Sequence, residues 1–138
     1  MKISIILAVV FLSIAFHGNA QKSLNKQLLE AAASGNKEKM KRLLKKTGTD
    51  VNTQNQHGFS ALMLAAGNGH KEIIQILLDN SADVNAVNNK LHGFTALMMA
   101  VFKDHKDVVK ILLDNGADVN VRDTKLSSTV LMLALQAV

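Results

Sequence analysis

Two stretches of this sequence are nearly identical and lie 35 residues apart. Residues 76–85 read ILLDNSADVN and residues 111–120 read ILLDNGADVN, which differ at one position in ten. Residues 57–63 (HGFSALM) return as residues 92–98 (HGFTALM) at the same offset. A chain with such a period uses one small unit several times, and each unit must bury its apolar face against its neighbours.

Each unit carries the pattern of two short helices joined by a tight turn. Ser60 and Thr95 precede apolar segments, and a hydroxyl at that position accepts a hydrogen bond from a free amide of the first helical turn. Gly69 falls where the first helix must end, and Asp104 takes that place in the next unit; both are expected in the left-handed conformation. A second helix with one apolar stripe is predicted from about Lys71 to Asp79.

This organisation resembles the ankyrin repeat, whose period is near 33 residues and whose signature reads Thr-Pro-Leu-His-x-Ala. The resemblance implies an all-α ankyrin-repeat solenoid of helix-turn-helix repeats, with projecting loops called fingers and a concave face made of the first helices. It also implies binding of other proteins without chemistry of its own. The repeats are predicted at about 24–52, 53–85 and 86–120, with a partial fourth repeat at 121–138.

Several positions depart from the ankyrin pattern, and one histidine position recurs in two successive repeats. Met63 and Met98 replace the His of the signature, which in the family ties neighbouring repeats by a hydrogen bond across the loop, so the resemblance implies a less stable stack. Two extra residues within 88–93 lengthen the finger of the third repeat. His70 and His105 follow the end of a first helix, where the resemblance implies that they pack against or cap the second helix.

The first twenty residues have the layout of a secretory signal peptide. Lys2 is followed by an uncharged apolar run over residues 3–16, and Gly18-Asn19-Ala20 place small residues where a signal peptidase cleaves. The run of 14 residues is shorter than the roughly 20 that a membrane anchor needs. We expect a signal peptide at 1–20, cleavage after Ala20 and an exported protein, periplasmic or secreted, without a membrane span after cleavage.

Nothing in the sequence predicts an enzyme, a cofactor or a metal site. The chain has no Cys, which excludes thiolate ligands and a cysteine nucleophile. Asp83 and Asp118 are interpreted as turn residues rather than a catalytic pair. His57 and His92 lie in successive fingers, but zinc needs three or four ligands. With no Trp or Tyr, the chain is also poor in platforms for stacking nucleic acid bases.

The aromatic residues of the fingers and of the third repeat predict a surface that binds another protein. Phe59 and Phe94 precede the capping hydroxyls, and Phe102 stands where the previous repeat has Gly67. Aromatic anchors of this kind are typical of binding hot spots. The alternative is that each Phe packs inward under its own finger. The predicted partner-binding residues are His57, Phe59, His92, Phe94, Phe102 and Lys103.

Two alternatives to a protein-binding adaptor remain open. Residues 22–50 carry 8 basic and 3 acidic residues, and the run Lys37–Lys46 predicts either a binder of acidic lipid or polyanion or the solvated face of a capping repeat. The partial fourth repeat begins with a potential cap, Thr129, and ends in the apolar segment Leu131–Val138. This apolar segment predicts that the protein is a scaffolding fragment that associates with itself through Leu131–Val138.

Overall fold

The structure, a computed structural model, describes residues 2–122, which form one long helix and five short ones, arranged in pairs that are separated by fingers. The α-helices are α1 (Lys2–Ser34), α2 (Lys37–Leu44), α3 (Ala61–Gly67), α4 (Lys71–Asp79), α5 (Ala96–Phe102) and α6 (Lys106–Asp114). The second finger, residues 53–59, precedes α3. The third finger, residues 86–94, contains strand β1 (Val87–Asn88), a 3-10 helix (Asn89–Leu91) and the start of strand β2 (Phe94–Thr95).

The helix pairs stack in two layers. The first-helix layer consists of α1, α3 and α5 in contact in that order, and the second-helix layer consists of α2, α4 and α6. One apolar core, which includes Leu28, Leu43, Leu77, Leu97 and Leu112, runs through the stack. The predicted all-α solenoid is therefore confirmed for residues 2–122. The partial fourth repeat, with Thr129 and Leu131–Val138, lies outside the described residues.

The first helices begin at the hydroxyl residues that the sequence indicates. Ser60 Oγ accepts a hydrogen bond from Met63 N at 3.2 Å, and Thr95 Oγ1 accepts one from Met98 N at 3.3 Å. Both methionines are buried, so the position of the signature His belongs to the apolar core in this chain. The predicted second helix, Lys71–Asp79, is also confirmed.

Helix α1 joins the stack only in its second half. Its described side chains from Ile6 to Ser23 are exposed, whereas Leu28, Ala31 and Ala32 are fully buried. The predicted signal peptide, residues 1–20, stays a prediction. Among the helices of residues 2–122, none has both the length and the sustained hydrophobicity needed to cross a membrane.

The turns after the α-helices use left-handed backbone, and two of them use it without glycine. Gly69 (φ 73°) and Asp104 (φ 56°) end first helices as expected. After the second helices, Gly116 has φ 84°, but its counterpart Ser81 has φ 65°. A residue with a Cβ is strained in this conformation.

We expect Ser81→Gly to raise the free energy of unfolding by about 0.5–1 kcal/mol. Glycine removes the strain at this position, and the larger conformational entropy that glycine gives the unfolded chain offsets only part of this gain. The measurement is urea denaturation followed by circular dichroism. Asn80→Gly is the matched control, because Asn80 has φ −102° and gains nothing from glycine. A Ser81→Gly protein no more stable than the Asn80→Gly protein would contradict the expectation.

Candidate protein-binding surface

The third repeat exposes an aromatic side chain at the end of its first helix. Phe102 is 63% exposed, and Lys103 Nζ lies 5.9 Å from the centroid of its ring, within the distance of a cation–π contact. In the repeat before, a Cβ on Gly67 would lie 3.1 Å from Met99 Cε, so the first-helix layer is closely packed there. Within residues 2–122, the last first helix, α5, ends in an exposed aromatic side chain with a lysine beside it.

Phe59 and Phe94 are placed differently from Phe102. Both rings are half-buried and pack against the apolar core. The alternative prediction is that each Phe packs inward under its own finger. Phe59 and Phe94 do so in part, and Phe102 does not. Their role as partner contacts stays a prediction.

The two finger histidines are exposed, and neighbouring side chains fix their backbone. His57 N donates to Asn55 Oδ1 at 2.9 Å, and the His57 carbonyl accepts from Asn88 Nδ2 of the third finger at 3.1 Å. His92 follows the 3-10 helix with φ 54°. Residues 2–122 contain no group of three or more His, Asp or Glu side chains that could hold a metal ion. Of the six predicted residues, the structure brings Phe102 and Lys103 into direct contact.

An open cleft of about 550 Å³ lies between α1 and the second finger. Its α1 wall consists of Lys22, Asn25, Lys26 and Leu29, and its other wall is the segment 53–57. His57 is the member of the predicted set that borders it. This cleft was not predicted from the sequence, although its α1 wall, Lys22, Asn25, Lys26 and Leu29, has the i, i+3, i+4, i+7 spacing of one helical face.

The basic run Lys37–Lys46 lies on a different surface. Lys41, Arg42 and Lys45 are exposed on and just after α2, while Lys39 Nζ lies 3.4 Å from Glu30 Oε2. This arrangement is compatible with the solvated face of a capping repeat, and binding of acidic lipid or polyanion there stays a prediction.

His70 and His105 join neighbouring repeats. His70 Nε2 donates to the Ala33 carbonyl and His105 Nε2 to the Gly67 carbonyl, each at 3.1 Å. His70 and His105 occupy the N-cap positions of α4 and α6, as expected, but neither side chain forms a capping hydrogen bond. Their rings lie against Gly turns of the preceding repeat, where the missing Cβ leaves room.

The Asp-Val-Asn segments also join the repeats. Asp83 Oδ1 accepts from Asn85 N at 2.9 Å, which confirms the predicted turn role. Asn52 Oδ1 accepts from Asp83 N, and Asn85 Oδ1 from Asp118 N, both at 2.8 Å. These bonds and those of the two histidines tie the repeats without the His of the signature.

The comparisons with known proteins agree with this architecture. A family model described as Ankyrin repeats (3 copies) matches residues 28–123. The chain is similar to cortactin-binding protein 2 of Plecturocebus moloch, with 44% identity over 59 residues, which cover 43% of this chain and 4% of that protein. It is 45% identical over 58 residues to mitochondrial disaggregase of Homo sapiens, which cover 42% of this chain and 8% of that protein.

The bovine (Bos taurus) mitochondrial disaggregase shares 38% identity over 69 residues, which cover 50% of this chain and 10% of that protein. The matched segments thus span a tenth or less of these relatives. The family match covers more than half of the chain, and it coincides with the stacked helix pairs. The chain belongs to the ankyrin repeat family.

Proposed function

We propose that this protein is an exported, non-catalytic adaptor that binds another protein through its first-helix layer and its fingers. Ankyrin repeats are modules of protein–protein interaction, and the fold is typically non-catalytic. Since a fold does not determine a function, the proposal depends on the surface. The observation that carries it is the 63% exposed ring of Phe102 with Lys103 beside it.

The third finger also exposes an apolar side chain. Leu91 is 38% exposed, and its backbone N donates to Asn88 Oδ1 at 3.0 Å. Lys90 N donates to the same oxygen at 2.9 Å. A loop that is already ordered loses less entropy when it binds, so more of its contact energy contributes to affinity.

Phe102→Ala is expected to reduce capture of the partner by about tenfold or more, because truncated aromatic hot spots cost about 2 kcal/mol or more. The measurement is quantitative crosslinking capture from the native compartment, with protein purified after expression of the full chain. Leu113→Ala is the matched control, since Leu113 is 43% exposed on α6. Equal capture by both variants would place the interface elsewhere.

The export part of the proposal rests on the composition of residues 1–20, and the exposure of the described side chains from Ile6 to Ser23 supports it. Expression of the full chain in a secretory host is expected to yield a product that begins at Gln21, read by N-terminal sequencing. Ala20→Arg is expected to block cleavage, because the peptidase needs a small residue there. A retained N-terminus in the wild-type protein would contradict export by this route.

A further inference from the structure

We infer that the cleft between α1 and the second finger binds an acidic peptide segment of the partner protein. The inference rests on the proposed function, because it names the chemistry of a protein partner. The cleft lies between one helix and one ordered loop, and its volume of about 550 Å³ falls within the range of about 300–1,000 Å³ that ligand pockets occupy.

The charged side chains that line the cleft are all basic. Its nine lining residues include Lys22 and Lys26 and no carboxylate. None of the ion pairs formed within residues 2–122 involves either lysine. Glu30 lies one turn after Lys26 on α1, and it pairs with Lys39 of α2 at 3.4 Å. Two lysines thus line the cleft without a countercharge from its walls, and complementary carboxylates of a ligand would supply one.

The finger wall is ordered before any ligand binds. Asn55 Oδ1 accepts hydrogen bonds from His57 N at 2.9 Å and from Phe59 N at 3.0 Å. Gln54 Nε2 donates to the Val87 carbonyl of the third finger at 3.1 Å. These bonds fix the segment 53–57 within its own finger and against the third finger, so a ligand does not have to order it.

A peptide fits this cleft better than a lipid surface or a nucleic acid does. Leu29 gives the wall an apolar part, and the side chains of Gln54 and Gln56 give it amides of the kind that pair with peptide N–H and C=O groups. A peptide that carries both carboxylates and apolar side chains uses all of these groups. A flat membrane or a long polyanion would instead meet the exposed cations of α2.

The test uses a short fluorescent peptide that alternates Glu and Leu, its Gln-and-Leu counterpart, and protein purified after expression of the full chain. Fluorescence anisotropy gives the affinities. Lys22→Gln with Lys26→Gln is expected to weaken binding of the acidic peptide by about tenfold, since it removes two charge pairs. The matched control, Lys41→Gln with Lys45→Gln on the α2 side, is expected to change the affinity by less than about twofold.

Any one of four results would overturn the inference. The acidic peptide does not bind, or binds no better than its Gln counterpart. Both double variants weaken binding equally, which would indicate attraction by net charge. Vesicles containing phosphatidylserine bind as tightly as the peptide and lose binding with the α2 variant, which would favour a membrane. If partner capture depends on Phe102 but not on Lys22 and Lys26, the proposed function stands and the cleft inference fails.

Discussion

Replacing Asn88 with alanine is expected to lower the free energy of unfolding by about 2–4 kcal/mol. The Asn88 side chain is fully buried, and it makes three hydrogen bonds. Its Nδ2 donates to the His57 carbonyl at 3.1 Å, and its Oδ1 accepts from the backbone N of Lys90 and of Leu91 at 2.9 and 3.0 Å. Alanine would leave these groups without their partner and open a small cavity.

The measurement is urea denaturation followed by circular dichroism. Asn89→Ala serves as the control, because Asn89 is the same residue type one position later and is exposed. We expect its effect to stay within about 0.5 kcal/mol. If Asn88→Ala were as mild as Asn89→Ala, the side chain of Asn88 would not join the second and third fingers.

Replacing Gly69 with alanine is expected to cost about 2–3 kcal/mol from two causes. Gly69 has φ 73°, and a residue with a Cβ loses about 1–2 kcal/mol in that conformation. The new Cβ would also lie 2.9 Å from His105 Nδ1. The imidazole must then move, which breaks the bond from His105 Nε2 to the Gly67 carbonyl at 3.1 Å and adds about 1 kcal/mol.

A control and a double variant separate these two causes. Gly116 has φ 84°, and no atom of residues 2–122 lies within 4 Å of the position of its Cβ. Gly116→Ala is therefore expected to show the backbone cost alone, about 1–2 kcal/mol. In a His105→Ala background, Gly69→Ala is expected to fall to that same cost. Equal effects of Gly69→Ala and Gly116→Ala in the wild-type background would contradict the contact between Gly69 and His105.

Much of the fold can be predicted from the sequence because its determinants are local. The capping hydroxyls Ser60 and Thr95 and the left-handed Gly69 act on neighbouring backbone, so their position in the chain predicts their role. The roles of His70 and Asn88 could not be predicted in this way. Their hydrogen bonds reach 37 and 31 residues along the chain, so they depend on how one repeat is placed on the next.

The binding surface was predicted less well for a related reason. The sequence places Phe59 and Phe94 before the capping hydroxyls and Phe102 at the end of a first helix, but it does not show what lies above each ring, and burial depends on this. The first two reach the core, and Phe102 remains 63% exposed. The cleft beside α1 forms because Lys22 and Lys26 lie opposite a finger about thirty residues later in the chain. Counting charges along the sequence does not detect this proximity.

The most direct test of a protein-binding first-helix layer is site-specific photo-crosslinking. A photo-reactive benzoylphenylalanine is placed at position 102, and in a second protein at position 113 on α6. The account predicts one protein partner crosslinked from position 102 and little or none from position 113. A partner that binds both proteins but is crosslinked only from position 113 would contradict the account, because it would place the interface on the second-helix layer.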